Sequence, residues 1–320
     1  MSPHRTMPLP ARYDLAGTLG ALRGNHGPDP VARLDRAAGE LWWACRTPAR
    51  PGTLHLCRTG GELHASGYGP GAPWLVEHAD AIAGLRDDVA PFEPMAAAHP
   101  VLRRAWHARG GLRLVRTGRV FAQAVPAVLG QKVTGREAGA AYAALLRHFG
   151  EPAPVPAGGA GPRLLLPPDP AAVAATPYWV FHPFGLEQRR AQALLRVAAV
   201  AARLETAPHA AAATALLTSL PGIGAWTAAE IVRVAYGDPD AVSVGDYHVP
   251  HHVVYALTGA VRAGSRESAP GRLAEADARM LALLEPFRGQ RGRACQLLMA
   301  ASPAPPRFGP RMPVRSFARY

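Results

Sequence analysis

The stretch Leu220-Pro-Gly-Ile-Gly-Ala-Trp-Thr-Ala228 constrains this chain more than any other. Before it, Ala210 to Ser219 is rich in Ala and Leu and reads as a helix. Pro221 and Gly222 end that helix, and Gly224 admits backbone torsions that a side chain would oppose. From Ala225 to Tyr236 the apolar residues Trp226, Ala229, Val232 and Tyr236 recur at helical spacing, so a second helix follows almost at once. Two helices joined by a glycine-bearing hairpin turn a row of backbone N–H groups outward at the start of the second. Such a terminus holds a phosphate through its unpaired donors and its dipole, without reading sequence.

The remaining composition fits that reading. A chain of 320 residues has room for two domains with cores of their own, and 48% hydrophobic residues exclude wholesale disorder. The formal net charge of +12 makes an acidic polymer the expected partner. Lys132 is the only lysine, so the basic excess is arginine. An arginine bias beside abundant Ala, Gly and Pro also follows from a GC-rich genome, so the sign of the charge says more than the choice of arginine. Cys45, Cys57 and Cys295 are odd in number and far apart, which suits neither a disulfide framework nor a Cys-x-x-Cys metal site. Met1 to Pro10 lacks the apolar stretch of a signal peptide, and no apolar run approaches the ~20 residues that cross a bilayer. A reduced, cytoplasmic protein without a membrane partner is expected.

Residues 1–95 differ in texture from the rest. Glu40–Arg46, Gly52–Cys57 and Glu62–Ser66 are short and bounded by Gly, Pro or Arg; Arg58-Thr-Gly-Gly makes a hairpin turn between the latter two. Trp74 to Leu85 looks helical. We expect a small α+β domain with an antiparallel sheet, in which Trp42 and Trp43 serve the core or a sheet face. Residues 96–301 read as helical, including Arg136–Phe149 and a long helix from about Phe184 to Leu204. Glu151 to Pro162 is rich in Pro and Gly and reads as an exposed loop or linker. Asp169 caps a helix whose first turn holds Pro170. Helices are also expected after Asp246 through Leu257, up to Leu284, and through Arg293–Ala301. Residues 302–320, with five prolines and four arginines, read as a disordered basic tail.

The hairpin resembles that of the HhH-GPD superfamily of base-excision DNA glycosylases, whose form is L-P-G-[IV]-G-x-x-T-A. Every defined position matches, and Asp246 lies twenty residues after Trp226, where that family carries its catalytic aspartate. The run Leu129-Gly-Gln-Lys-Val-Thr134 is similar to a segment of the AlkA-like alkylbase glycosylases, a branch of the superfamily. The fold implied is mostly α: a helical HhH-GPD glycosylase domain, with its helix-hairpin-helix at about 210–236, behind the small α+β domain. The resemblance implies that Gln131 and Lys132 fill the gap left by an extruded base. It implies DNA contacts from Gly222, Ile223, Gly224, Ala225 and Thr227. It also implies a structural Na⁺ or K⁺ on the backbone carbonyls of Thr218, Leu220 and Ile223, with no cofactor needed for catalysis. Gly185 through Arg190-Ala191 matches a further family pattern, in which Arg189 and Arg190 either approach the DNA backbone or line a solvated face.

The chemistry follows from the reaction. Cleaving a base from deoxyribose builds oxocarbenium-like charge on the sugar, which one fixed carboxylate stabilises. Asp246 is the candidate; it also has the position of an N-cap for the helix that follows, and the two roles are compatible in part. Bifunctional relatives place a Schiff-base lysine where this chain has Trp226, so a monofunctional enzyme using water is expected. Trp226 either stacks on a cationic, alkylated base or is plain helix core. Glu230 and Tyr247 complete the expected base pocket, although Glu230 stands where AlkA-like proteins often have an aromatic and could equally face solvent. The last helix likewise lacks their aromatics. His248, His251 and His252 lack a zinc signature. Arg288, Arg291 and Arg293 could grip phosphates. Duplex DNA carrying an alkylated or deaminated purine is the expected partner and a monomer the expected state; the alternative is a DNA-binding protein that keeps the hairpin without catalysis.

Overall fold

The computed structural model describes residues 2–24, 29–260 and 272–306. Five strands form one antiparallel sheet: β1 (His4–Pro8), β2 (Ala32–Asp35), β3 (Glu40–Arg46), β4 (Pro51–Thr59) and β5 (Glu62–Tyr68), in the order β1-β5-β4-β3-β2. The three strands expected from the sequence are present as β3, β4 and β5. The two edge strands were not anticipated: β1 contains Pro8, β2 holds only four residues, and each is completed by pairing with a longer neighbour. The registers Leu41↔Leu56↔Ala65 and Trp43↔Leu54↔Gly67 place these residues on one face, where Leu41, Trp43, Leu54, Leu56 and Ala65 are all buried. The other face carries Trp42 stacked on His55 and Tyr68, with ring centroids 4.0 and 5.6 Å apart.

Helices follow. Leu15–Leu19 (α1) lies between β1 and β2, and Ala72–Glu77 (α2) and Ala79–Ile82 (α3) follow β5. Then come Phe92–Ala98 (α4), Pro100–Arg109 (α5), Val120–Leu129 (α6), Gly135–Phe149 (α7) and Pro170–Ala174 (α8). Gln188–Ala199 (α9), Ala201–Glu205 (α10), Ala210–Thr218 (α11), Ala225–Ala235 (α12), Val249–Thr258 (α13), Arg272–Leu284 (α14) and Arg291–Ala301 (α15) complete the order. The single helix expected over 184–204 is two, divided at Val200, and a 3-10 stretch, Tyr178–Phe184, occupies its expected start. Asp169 caps α8 as expected, accepting from Ala171 and Ala172 N–H.

The Pro/Gly-rich segment is not a free linker. Thr53 donates to the Pro154 carbonyl, Arg46 to the Pro167 carbonyl, and Leu165 N–H to the Pro30 carbonyl, while Gly161 lies against the Trp42 ring. The segment is thus a strap across the outer sheet face. Pro154 and Pro167 suit this role, because they serve it through their carbonyls and need no N–H. The expected tail, from residue 307 onward, and most of the expected loose stretch 259–271 lie outside the described residues.

Two apolar cores result. One joins the inner sheet face to α6, α7, α9, α11 and α12; the other gathers Phe92, Leu102, Val253, Met280, Phe287 and Leu298 from α4, α5 and the C-terminal helices. The chain crosses from the first core to the second between α12 and α13, and Asp246 lies on that crossing.

Candidate active site

The hairpin is built from a tight turn. Ile223 N–H donates to the Leu220 carbonyl at 3.0 Å, with Pro221 and Gly222 at the turn's centre. Gly222 has φ +95°, and a Cβ there would stand 3.0 Å from the Cβ of Ala193, so this glycine is required twice over. Gly224 is different from expectation: its φ of −99° and ψ of −177° are ordinary extended backbone, and a Cβ would meet nothing. What its hydrogen side chain provides is access. α12 begins immediately after it with no side-chain cap, its first internal bond running from Ala228 N–H to the Gly224 carbonyl. The N–H groups of Ala225, Trp226 and Thr227 precede that bond, and Gly222, Gly224 and Ala225 are exposed. Ile223 and Thr227 have buried side chains, and Ile223 N–H is consumed inside the turn. Arg196 on α9 donates to the Pro221 carbonyl at 3.0 Å, a contact with no signal in the local sequence.

The loop after α6 docks on this hairpin. Gln131 donates from Nε2 to the Gly222 carbonyl at 3.0 Å and to Thr227 Oγ1 at 2.8 Å. Lys132 behaves oppositely: it is exposed, and its φ of +55° makes it the one non-glycine residue in the left-handed region among the described residues. The two residues expected to share a role are therefore separated into a latch and a tip. The loop's base is held by Arg190, which is 3% exposed and donates to the Leu129 and Gly185 carbonyls and to Glu187. That fixes Arg190 inside the protein, against the reading that placed it at a DNA backbone, and leaves Arg189 exposed beside it.

Asp246 is held on both oxygens. Trp226 Nε1–H donates to Oδ2 at 2.9 Å, while Oδ1 accepts from the N–H groups of His248 and Val249 at 2.7 and 2.9 Å. Asp246 thus receives the first N–H groups of α13 on one oxygen and meets the indole with the other, although the N-cap position itself is His248. Trp226 is half-buried, its ring reaching towards Gly130 and its N–H towards the carboxylate. Tyr247, 50% exposed, stands edge-on to the His248 ring at 4.8 Å.

Two further carboxylates brace the crossing. Glu230 accepts from Arg233 at 2.8 Å and from the Ser243 hydroxyl. Burial pushes its carboxyl up, but the Arg233 charge and these hydrogen bonds outweigh burial and hold it below the usual range. Glu230 therefore ties helix to loop and does not face solvent freely. Asp277 of α14 accepts from Gly245 N–H on both oxygens, at 3.0 and 3.1 Å. Burial raises its carboxyl; the Gly245 bond opposes this, the charge of Asp246 adds to it, and His251 opposes it. Asp277 had no sequence signal, because its partner is a backbone group 32 positions away.

Arg288, Arg291 and Arg293, the last two of which lie in the first turn of α15 and not before it, do not form a free cationic patch. Arg293 is 3% exposed and pairs with Asp87 through both terminal nitrogens; Arg291 pairs with Asp240 and Arg288 with Glu285. Their carboxylate partners are remote in sequence for two of the three, which is why the run looked available. Among the described residues no group of three or more His, Cys, Asp or Glu is placed to hold a metal, and no helix is long and apolar enough to cross a membrane.

A helix-hairpin-helix leading to a braced aspartate between two cores, behind an antiparallel sheet, is a fold that this chain shares with solved DNA glycosylases. Solved structures agree. A 3-methyladenine DNA glycosylase from Archaeoglobus fulgidus superposes with a TM-score of 0.71 at 17% identity, over 93% of this chain and 98% of that one. The 8-oxoguanine glycosylase/lyase of Clostridium acetobutylicum, in its apo form, gives 0.67 at 12% identity over 94% and 99%. The same enzyme bound to double-stranded DNA with cytosine opposite 8-oxoguanine gives 0.64 at 12% identity over 93% and 96%. No protein-family model matches the chain, and the curated proteins contain no match.

Proposed function

We propose that this protein is a monofunctional DNA glycosylase that hydrolyses the N-glycosidic bond of alkylated or deaminated purines in duplex DNA. The observation that carries the proposal is the Asp246 carboxylate, fixed by the Trp226 indole at the mouth of a crossing between two cores. Each oxygen of a carboxylate accepts more than one hydrogen bond. Asp246 therefore keeps capacity to face a sugar whose anomeric carbon gains positive charge as the base departs, and to orient water against it.

The neighbouring residues supply the rest. The uncapped start of α12 holds a phosphate by N–H donors and dipole. Lys132, displayed on the loop tip that Gln131 latches to the hairpin, enters the gap left when the nucleotide is extruded. Trp226 and Tyr247 offer aromatic surface to a cationic base. Glu230, engaged by Arg233 and Ser243, shapes the site through the loop that carries Asp246. A Na⁺ or K⁺ fits the hairpin's neutral oxygens: the Thr218 carbonyl ends a helix, and the Leu220 carbonyl, already bonded to Ile223 N–H, keeps a second lone pair. With Ile223 these would hold the cation, which stiffens the turn. The monofunctional reading rests on Trp226 standing where a Schiff-base lysine would otherwise project from α12. The protein acts as a monomer on duplex DNA.

The test is base release from duplexes bearing single hypoxanthine, ethenoadenine, methylated-purine or 8-oxoguanine sites, followed by alkali cleavage. Release by the wild type that collapses in Asp246→Asn supports the assignment, and strand scission without alkali or a borohydride-trapped adduct would instead show a lyase. Duplex binding with no release from any lesion would leave a DNA-binding protein without catalysis.

A further inference from the structure

The geometry points to Asp277 as a positioning residue for Asp246, acting through the Gly245 amide. The inference rests on Asp246 being the catalytic carboxylate of the proposed glycosylase.

The segment from Ser243 to Asp246 has three fixed points, supplied by α12, α13 and α14. Ser243 is held by Glu230 of α12, Gly245 N–H by Asp277 of α14, and the Asp246 side chain by Trp226 and the start of α13. Of these, only the Asp277 contact holds the Val244–Gly245 peptide; the next N–H, that of Asp246, closes a turn on the Ser243 carbonyl at 3.2 Å. Gly245 has φ +92°, and nothing lies within 4 Å of where its Cβ would be. Packing therefore does not impose this torsion. Two hydrogen bonds do: the turn bond from Asp246 N–H to Ser243 on one side of Gly245 and the bond to Asp277, the only one from outside the segment, on the other. Together they set the direction in which the Asp246 Cα–Cβ bond leaves the chain.

The choice of a carboxylate matters. Asp277 is 7% exposed and lies close enough to Asp246 for the two charges to oppose one another. Asn or Ser would accept the same N–H without burying a charge near another charge, so a purely structural turn would be served by less. A charged acceptor gives a bond roughly twice as strong as a neutral one, which is what a peptide with no packing support requires. Its strength holds a reacting group against the repulsion and strain of a loaded site.

The experiment compares Asp277→Ala and Asp277→Asn with the wild type, using single-turnover base release and binding to a duplex containing an abasic-site analogue. Misplacing a reacting group by about 1 Å lowers rate by about 100-fold, so Asp277→Ala should lose about that much in rate with duplex affinity unchanged. Asp277→Asn, which keeps an acceptor, should recover to within about tenfold of the wild type. Asp277→Ala at the wild-type rate overturns the inference, and so does Asp277→Asn falling as far as Asp277→Ala. A second readout needs no activity: the Trp226 indole Hε1 resonance, identified by its loss in Trp226→Phe, reports the bond to Asp246. It should move towards the position of a solvent-exposed indole in Asp277→Ala and move little in Asp277→Asn. An unmoved resonance in Asp277→Ala overturns the inference even if the wild type releases no base, a result that would sink the glycosylase assignment separately.

Discussion

Two helices start beside the Gln131–Lys132 loop, and they are finished in opposite ways. α7 opens on a complete capping box: Thr134 Oγ1 accepts from Glu137 N–H, and the Glu137 carboxylate accepts from Thr134 N–H at 2.8 Å. α12 opens on Gly224 with no side-chain cap at all. Both termini lie at the surface, so exposure is not the difference. The first helix satisfies its own donors and presents a closed end; the second leaves them for an acceptor from outside. At a third start, that of α13, the first N–H groups are received by Asp246, whose other oxygen is turned to Trp226. Under the proposed function, the residue placed at each helix start, threonine, glycine or aspartate, separates a structural end, a binding end and a reactive end.

The largest effect should come from the reactive end. Asp246→Asn keeps an acceptor for the first N–H groups of α13 but loses the charge, so base release should fall by about 100-fold or more while the melting temperature stays close to the wild type. An equal loss of stability and activity would mean that Asp246 is only a cap. Next is the turn that aims the binding end. Gly222→Ala forces a positive φ on a side chain that would crowd Ala193, and should destabilise the protein by about 1–3 kcal/mol in denaturant melts. Gly224→Ala, in extended backbone with open space, should be near neutral in the same melts; equal losses at both glycines would erase the distinction drawn between them.

The two smaller effects set the helix starts against each other directly. Gly224→Asp adds a cap and a negative charge where a phosphate would sit, so duplex affinity should fall by about 1 kcal/mol, most clearly at low salt, with no loss of stability. Unchanged affinity would show that α12 does not receive a phosphate. Thr134→Ala is the mirror case: it should lower stability by about 1 kcal/mol in chemical denaturation and leave duplex binding unaltered. A binding defect there would mean that the closed end is also an interface.

Local chemistry was legible wherever neighbours in sequence are partners in space. The hairpin boundaries, the Asp169 cap and the three central strands follow from breakers, caps and alternation over short windows. The arginines were not legible on the same terms. Arg190, Arg291 and Arg293 read as cations available to a ligand, yet each is paired, with the Leu129 carbonyl, Asp240 and Asp87 respectively. The strap at 151–167 misled for a related reason: proline and glycine report the absence of helix or strand, not the absence of tertiary contacts.

What the sequence alone determined is the hairpin, the aspartate twenty residues beyond Trp226, and the sheet in front of the helices, because torsional preference and hydrophobic period are properties of adjacent residues. Only the tertiary structure decided that Gln131 latches while Lys132 is displayed, that Asp246 meets Trp226, and that Asp277 grips Gly245. Those outcomes depend on which polar groups burial brings together. A buried donor or acceptor must find its partner wherever the fold supplies one, at whatever separation along the chain.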